Sequence, residues 1–238
     1  MKKIILSAVG VAVFLAVSYA AVVGYSLLGR QFNHGETASL YIYPADDMAD
    51  VERKIRETAR PSCTVGFGLA VRLLGLDRKL KPGRYEIAPD MNMLALLRRI
   101  AAHAQSPVNL VVPSVRTVQD MAGRLGDKLM LDSAALARVL TDSAACAALG
   151  YTRETVPALF IPNTYQVYWD VDADKLLQRL KKENAAFWSA DEREAKARSL
   201  GMTHEEVVTL ASIVDSETAN NGEKPRIAGL YLNRLKAN

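Results

Sequence analysis

Apolar residues along the chain change their spacing several times, and each change predicts an element. An unbroken apolar run from Ile4 to Leu28, 25 residues without a charge, comes first. After a polar, Gly-containing linker over 31–38, Leu40, Tyr41, Ile42 and Tyr43 read as a short strand. Asp46 or Asp47 is placed to cap a helix starting near Met48, and the stretch Val65 to Leu76 reads as a second helix. Lys81-Pro82-Gly83 marks a turn, Arg84 to Ile87 alternates as a strand, and Met93, Leu94, Leu97 and Ile100 return to helical spacing. Strand, helix, helix, strand makes a small α+β unit whose two strands can pair and bury one face against the helices.

Beyond it, Val108 to Val112 reads as a strand, and Thr117 to Leu125 and Ser133 to Leu140 as helices. Leu159 to Trp169 is aromatic and carries a Pro-Asn turn signal. Leu176, Leu177, Leu180, Phe187 and Trp188 predict a long helix, and Glu192 to Leu200 another, stopped by Gly201. Thr203 and Glu206 form a capping box that starts a helix at about His204. Asn220-Asn221-Gly222 ends it, and Pro225 suits the first turn of the next. With Ile227, Leu230, Tyr231, Leu232 and Leu235 on most sides, that last helix is expected to be buried, which makes Asn233 and Arg234 stand out on it. The plainer reading, set against a functional one, is that they satisfy buried carbonyls or pair with an acid. The fold class is therefore α+β, with strands early and helices dominating the second half.

The first apolar run is long enough to cross a bilayer, which needs about 20 residues. A cleaved signal peptide has a shorter apolar core, about 7 to 15 residues, so a retained transmembrane anchor over 1–30 is the expected reading. Lys2 and Lys3 ahead of it place the N-terminus in the cytoplasm. The rest, without a second apolar span, is expected to be a single ectodomain on the extracytoplasmic side. It leaves roughly 200 residues for one large domain or two small ones.

Charge adds little. The net charge is +4, spread without like-charge runs and without aromatics interleaved among Lys and Arg, so a nucleic-acid partner is not expected. His34, His103 and His204 stand singly and read as surface or capping residues. Neither they nor Cys63 and Cys146 have metal-ligand spacing, so the sequence marks no metal site. A Cys63–Cys146 disulfide is left open.

The helix starting at His204 carries the candidate chemistry. Its apolar stripe is Val207, Leu210, Ala211 and Val214. With Val207 at zero and about 100° per residue, Glu217 falls near 280° and Asp215 near 80°. The two carboxylates therefore cannot act as a pair. Glu217 is expected at the border of the stripe, dehydrated by aliphatic neighbours and with its pKa raised, as a general acid requires. Taken alone, a Glu at such a border is more often a solvated or salt-bridged residue.

Leu210-Ala211-Ser212-Ile213-Val214-Asp215-Ser216-Glu217-Thr218-Ala219 resembles the signature helix A-S-I-[IV]-E-x-E-T of the endolytic murein transglycosylases of the YceG-like family (MltG-type). The later Glu of that pattern, its catalytic acid, falls on Glu217; the earlier one is replaced by Asp215. Leu159 to Tyr165 resembles the family's L-F-x-P-[DN]-T-Y segment, and Ile227 to Leu235 its I-A-x-V-[FY]-x-N-R-L helix. Lys81-Pro82-Gly83-Arg84-Tyr85 resembles the K-x-G-x-Y turn of its LysM-like domain, whereas Val112-Pro113-Ser114-Val115 departs from its I-P-E-G.

The resemblance implies three parts: the anchor over 1–30, a LysM-like βααβ domain over 31–105, and a mainly helical catalytic domain over 106–238 that is truncated at its C-terminus. It implies lytic cleavage of peptidoglycan between N-acetylmuramic acid and N-acetylglucosamine, giving 1,6-anhydro ends, with Glu217 catalytic and no cofactor. Tyr165, Asn163 and Asn233 are the candidate substrate-binding residues, Tyr165 by stacking on a sugar ring. The expected partners are glycan strands, the membrane through the first helix, and cell-wall synthesis proteins. A lysozyme-type hydrolase and a non-catalytic, membrane-anchored peptidoglycan-binding module are the alternatives.

Overall fold

The structure, a computed structural model, describes residues 2–33, 35–115 and 117–237, with side chains from Ser7 onward. His34 and Asn238 lie outside the described residues. The chain divides into two compact units, one holding the residues up to Pro107 together with Tyr168–Asp170, the other Val108–Val167 and the residues from Val171 on.

The first unit begins with α1 (Lys2–Leu28), whose stretch Ser7–Leu28 is apolar and long enough to cross a membrane. Strand β1 (Ala38–Ile42) follows, then α2 (Met48–Ala59) and α3 (Phe67–Leu74). A 3₁₀ turn over Leu76–Arg78 leads into β2 (Gly83–Ile87), and α4 (Met93–Ala101) closes the unit. β1 and β2 pair antiparallel with Leu40 opposite Tyr85. Period-two alternation turns Leu40, Ile42, Tyr85 and Ile87 inward, where they pack with Val51 and Ile55 of α2, Phe67 of α3, and Leu96, Leu97 and Ile100 of α4.

The caps follow local chemistry. Asp47, not Asp46, caps α2 in a capping box with Asp50. Asp46 instead accepts the amide of Tyr43, 2.6 Å away, and pairs with Lys54. α3 is shorter than its apolar run because Gly75, at φ 63°, ends it in the left-handed conformation.

Trp169 comes from the far half of the sequence and packs edge-on against Tyr41 and Tyr43, with ring centroids 5.0 and 4.9 Å apart. Beside it, Gln105 donates to Asp170 at 2.9 Å, and Tyr85 Oη lies 3.3 Å from His103 Nδ1. His103 is thus part of a polar network rather than a lone surface residue.

Burial pushes the Tyr85 hydroxyl from 10.0 up to about 12, with Asp170 adding and Arg99 opposing. A pKa raised on folding stabilises the native state below the unfolded value and is lost as pH climbs through the folded one. The stability of this unit is therefore expected to fall between pH 10.0 and about 12. In Tyr85→Phe that limb of the urea-midpoint profile should flatten.

The second unit contains the antiparallel pair β3 (Val108–Val112) and β4 (Asn163–Val167), with Leu110 opposite Tyr165. Between them lie α5 (Val118–Gly126), α6 (Ser133–Thr141), α7 (Ser143–Leu149) and a 3₁₀ turn over Val156–Leu159. After β4 come α8 (Ala173–Ser189), α9 (Arg193–Ser199), α10 (His204–Glu217) and α11 (Lys224–Ala237). Leu110, Leu125, Leu136, Leu140, Leu159, Leu176 and Leu180 form the core of this unit. Cys63 and Cys146 are both free thiols.

The expectation of a buried last helix is corrected: α11 has no buried residue, and Leu230 and Leu235 are exposed. It packs chiefly against α10, and one neighbour covers only one side of a helix.

Candidate active site

α10 is fixed at its start. Thr203 accepts the amide of Glu206 at 3.2 Å, and Glu206 returns a carboxylate oxygen to the amide of Thr203 at 2.8 Å. The ring of His204 stacks flat on Trp188 of α8, with centroids 4.0 Å apart and planes 3° from parallel. Along the body of the helix, Val214 is its buried residue, while Val207 and Leu210 are half-buried.

Buried Asn184 of α8 sets the surface on which α10 rests. It donates to the carbonyls of Ala158 and Leu159, at 2.7 and 3.2 Å, in the 3₁₀ turn that α10 packs against. Asn184→Ala strands two buried acceptors and is expected to cost about 1–3 kcal/mol, read as a lower urea midpoint.

Glu217 is the last residue of α10 and is exposed, which corrects the expectation that aliphatic neighbours enclose it. Val214 is the last point at which the helix enters the core, and Ile213 is itself exposed. Glu217 instead is engaged by α11: Tyr231 Oη donates to Glu217 Oε1 at 3.1 Å. Asp215 takes a different partner, with Lys224 Nζ 2.6 Å from its Oδ1. The two carboxylates thus divide between two α11 side chains. The Tyr231 hydroxyl is held above its usual range, first by its hydrogen bond to Glu217 and then by that residue's negative charge. It therefore remains a donor.

The intervening turn is tied to itself. Glu223 accepts from Thr218 Oγ1 at 2.9 Å and from Asn220 Nδ2 at 3.2 Å, while Asn220 Oδ1 takes the amide of Gly222 at 2.9 Å. These bonds use side chains of the turn itself, so the geometry of the turn follows from local sequence.

The other predicted residues are placed differently. Tyr165 is 5% exposed, its ring lies in the core, and its hydroxyl donates to the carbonyl of Ile161 at 2.7 Å. That ring has no open face for a sugar, which corrects the stacking expectation. Asn163, exposed at the start of β4, turns its Oδ1 to the amide of Thr164 at 2.8 Å. Asn233 is exposed on α11. Among the described residues the hydrogen-bond partner of Glu217 is Tyr231. The apolar spacing of α11 predicts Tyr231 within a buried helix; the signal for its contact is a phenol on the first helix after the acid.

A hollow of about 570 Å³ lies elsewhere in the unit, lined by Ser114, Val115 and the α5 residues Gln119, Asp120, Gly123 and Arg124, with Asp127. Among the described residues, no group of three or more His, Cys, Asp or Glu is placed to share a metal ion.

Comparison with known proteins gives a family match and similar solved structures. The model of the YceG-like family matches residues 40–238. A crystal structure of a yceG-like protein from Listeria monocytogenes is similar with a TM-score of 0.52 and 20% sequence identity, over 86% of this chain and 72% of that one. At that identity the likeness is one of fold. No curated protein matches.

Proposed function

The chain belongs to the YceG-like family, and from that premise we propose that it is a lytic transglycosylase cutting within peptidoglycan glycan strands, with Glu217 as its single acid and base. The observation that carries this reading is the carboxyl at the open end of α10, held on one oxygen by Tyr231 and separated from Asp215 by their different partners.

In the first step the Glu217 carboxylic acid protonates the glycosidic oxygen as the bond from muramic acid C1 breaks. In the second, the resulting carboxylate takes the proton of the C6 hydroxyl. Its oxygen bonds to C1 and closes the 1,6-anhydro ring. One group donates and regains one proton, and no water is consumed. Two-carboxylate glycosidases instead need a second acid to activate water or form a covalent intermediate.

In this reading α1 is retained as a single-pass anchor of the cytoplasmic membrane, with the rest of the chain on the extracytoplasmic side. Residues 31–105 serve as a LysM-like module and 106–238 carry catalysis, with glycan strands and cell-wall synthesis proteins as partners.

The test is mass spectrometry of purified sacculi incubated with the full chain in detergent. New 1,6-anhydro-muramic ends are expected. Reducing ends would replace the proposal with a lysozyme-type hydrolase. A second reading, a non-catalytic anchored binding module, is favoured by the exposure of Glu217; sacculus binding without any new ends would establish it.

A further inference from the structure

α3 is apolar on two opposite faces. Phe67, Ala70 and Val71 are buried in the core of the first unit. On the far side Leu69 is 48% exposed and Leu73 77%, and Val65, just ahead of the helix, is 51% exposed. Leu69 and Leu73, four residues apart on the helix, form one stripe, and Val65 extends the apolar run just ahead of it. A helix on the surface of a soluble domain normally turns polar residues outward.

Position separates this stripe from scattered surface leucines. Gly66, the N-cap of α3, sits on the last turn of α1, its amide 2.9 Å from Ser26 Oγ. A Cβ at residue 66 would lie 2.6 Å from Ser26 Oγ and 2.8 Å from Leu27 Cγ, so only glycine allows this approach. Gln31, 1% exposed, donates to the Ser26 carbonyl and accepts the amide of Cys63 at 3.0 Å. The end of α1 is therefore part of the first unit. The charge-free run ends at Leu28 and Arg30 follows it, so Ser26 and Leu27 stand at the end of the span. α3 thus starts at the hydrocarbon boundary. Arg72 on α3, Arg78, Lys79 and Lys81 just after it, and Arg30 just after α1 are exposed, with Asp77 as the acid in the 72–81 stretch.

We propose that the Val65–Leu69–Leu73 face of α3 lies in the interfacial layer of the same bilayer that α1 spans, its leucines at the acyl-chain boundary and its cations among lipid phosphates. This rests on reading α1 as a retained anchor.

The test uses the full chain in nanodiscs of phosphatidylglycerol and phosphatidylcholine. Tryptophan is introduced as Leu73→Trp, as Glu57→Trp for an exposed reference on α2, and as Phe14→Trp for a reference within α1; each spectrum is read as the difference from the parent. The expected result is a blue shift of Leu73→Trp relative to Glu57→Trp and loss of its emission when the acyl chains are brominated. If Leu73→Trp behaves like Glu57→Trp while Phe14→Trp is quenched, the anchor stands and the proposal falls. A blue shift without bromine quenching overturns it in favour of a protein surface. An unquenched Phe14→Trp overturns the anchor and the proposal together.

Discussion

Glu217→Gln is expected to lower the release of anhydro-ended fragments by about 10²–10⁴-fold, the range over which a positioned acid or base acts. Gln is nearly isosteric, and its side-chain oxygen can still accept from Tyr231 Oη, which lies 3.1 Å from the carboxylate it replaces. What it cannot do is give up and recover a proton. The residue is exposed, so no core contact is lost and the urea midpoint should not move. Fragment counts by mass spectrometry, with the midpoint measured on the same preparation, separate the two effects. Undiminished cleavage by the variant would remove Glu217 from the mechanism.

The second large effect concerns stability. Tyr165→Ala is expected to destabilise the second unit by about 3–5 kcal/mol, as aromatic-to-alanine changes in cores do. The Tyr165 ring packs within the cluster that includes Leu110 and Leu159, and β4 holds it opposite Leu110. Tyr165→Phe keeps the ring and strands only the Ile161 carbonyl, 2.7 Å from the lost hydroxyl, for a smaller cost of about 1–3 kcal/mol. Urea titration followed by circular dichroism should rank the native chain above Phe and Phe above Ala. If Tyr165→Ala unfolded at the native midpoint while binding glycan weakly, the ring would belong to a binding surface instead.

What the sequence made legible was whatever residues a few positions apart decide. Thr203 and Glu206 announced the start of α10, and Leu40, Ile42, Tyr85 and Ile87 announced which strand face is buried. α7 went unseen because Ser-Ala-Ala-Cys-Ala-Ala-Leu has little polar contrast to mark a face; its signal was the cap, Asp142, which accepts the amide of Ala145 at 2.8 Å. β4 was masked by the Pro-Asn turn signal at its start, and only pairing with β3 makes it a strand.

The candidate site was less legible for the same reason. Periodicity gave the angular separation of Asp215 and Glu217, and they do go to different partners. It could not reveal what would cover the stripe. Dehydration of a carboxyl depends on neighbours distant in sequence, and beyond Val214 the helix residues Asp215, Ser216 and Glu217 are exposed. The Tyr231 contact spans 14 positions and a turn, beyond what any local pattern encodes.

The bonds of Ser26 and Gln31 bear on mechanics as well as on packing. A span joined to its cargo by a slack leash lets that cargo swivel; one welded to it behaves as an axle. With α1 in a bilayer, any lean of the span would be handed on as a rotation of the first unit. A thinner membrane, which makes a long apolar helix lean further, would then steer that unit with no ligand involved.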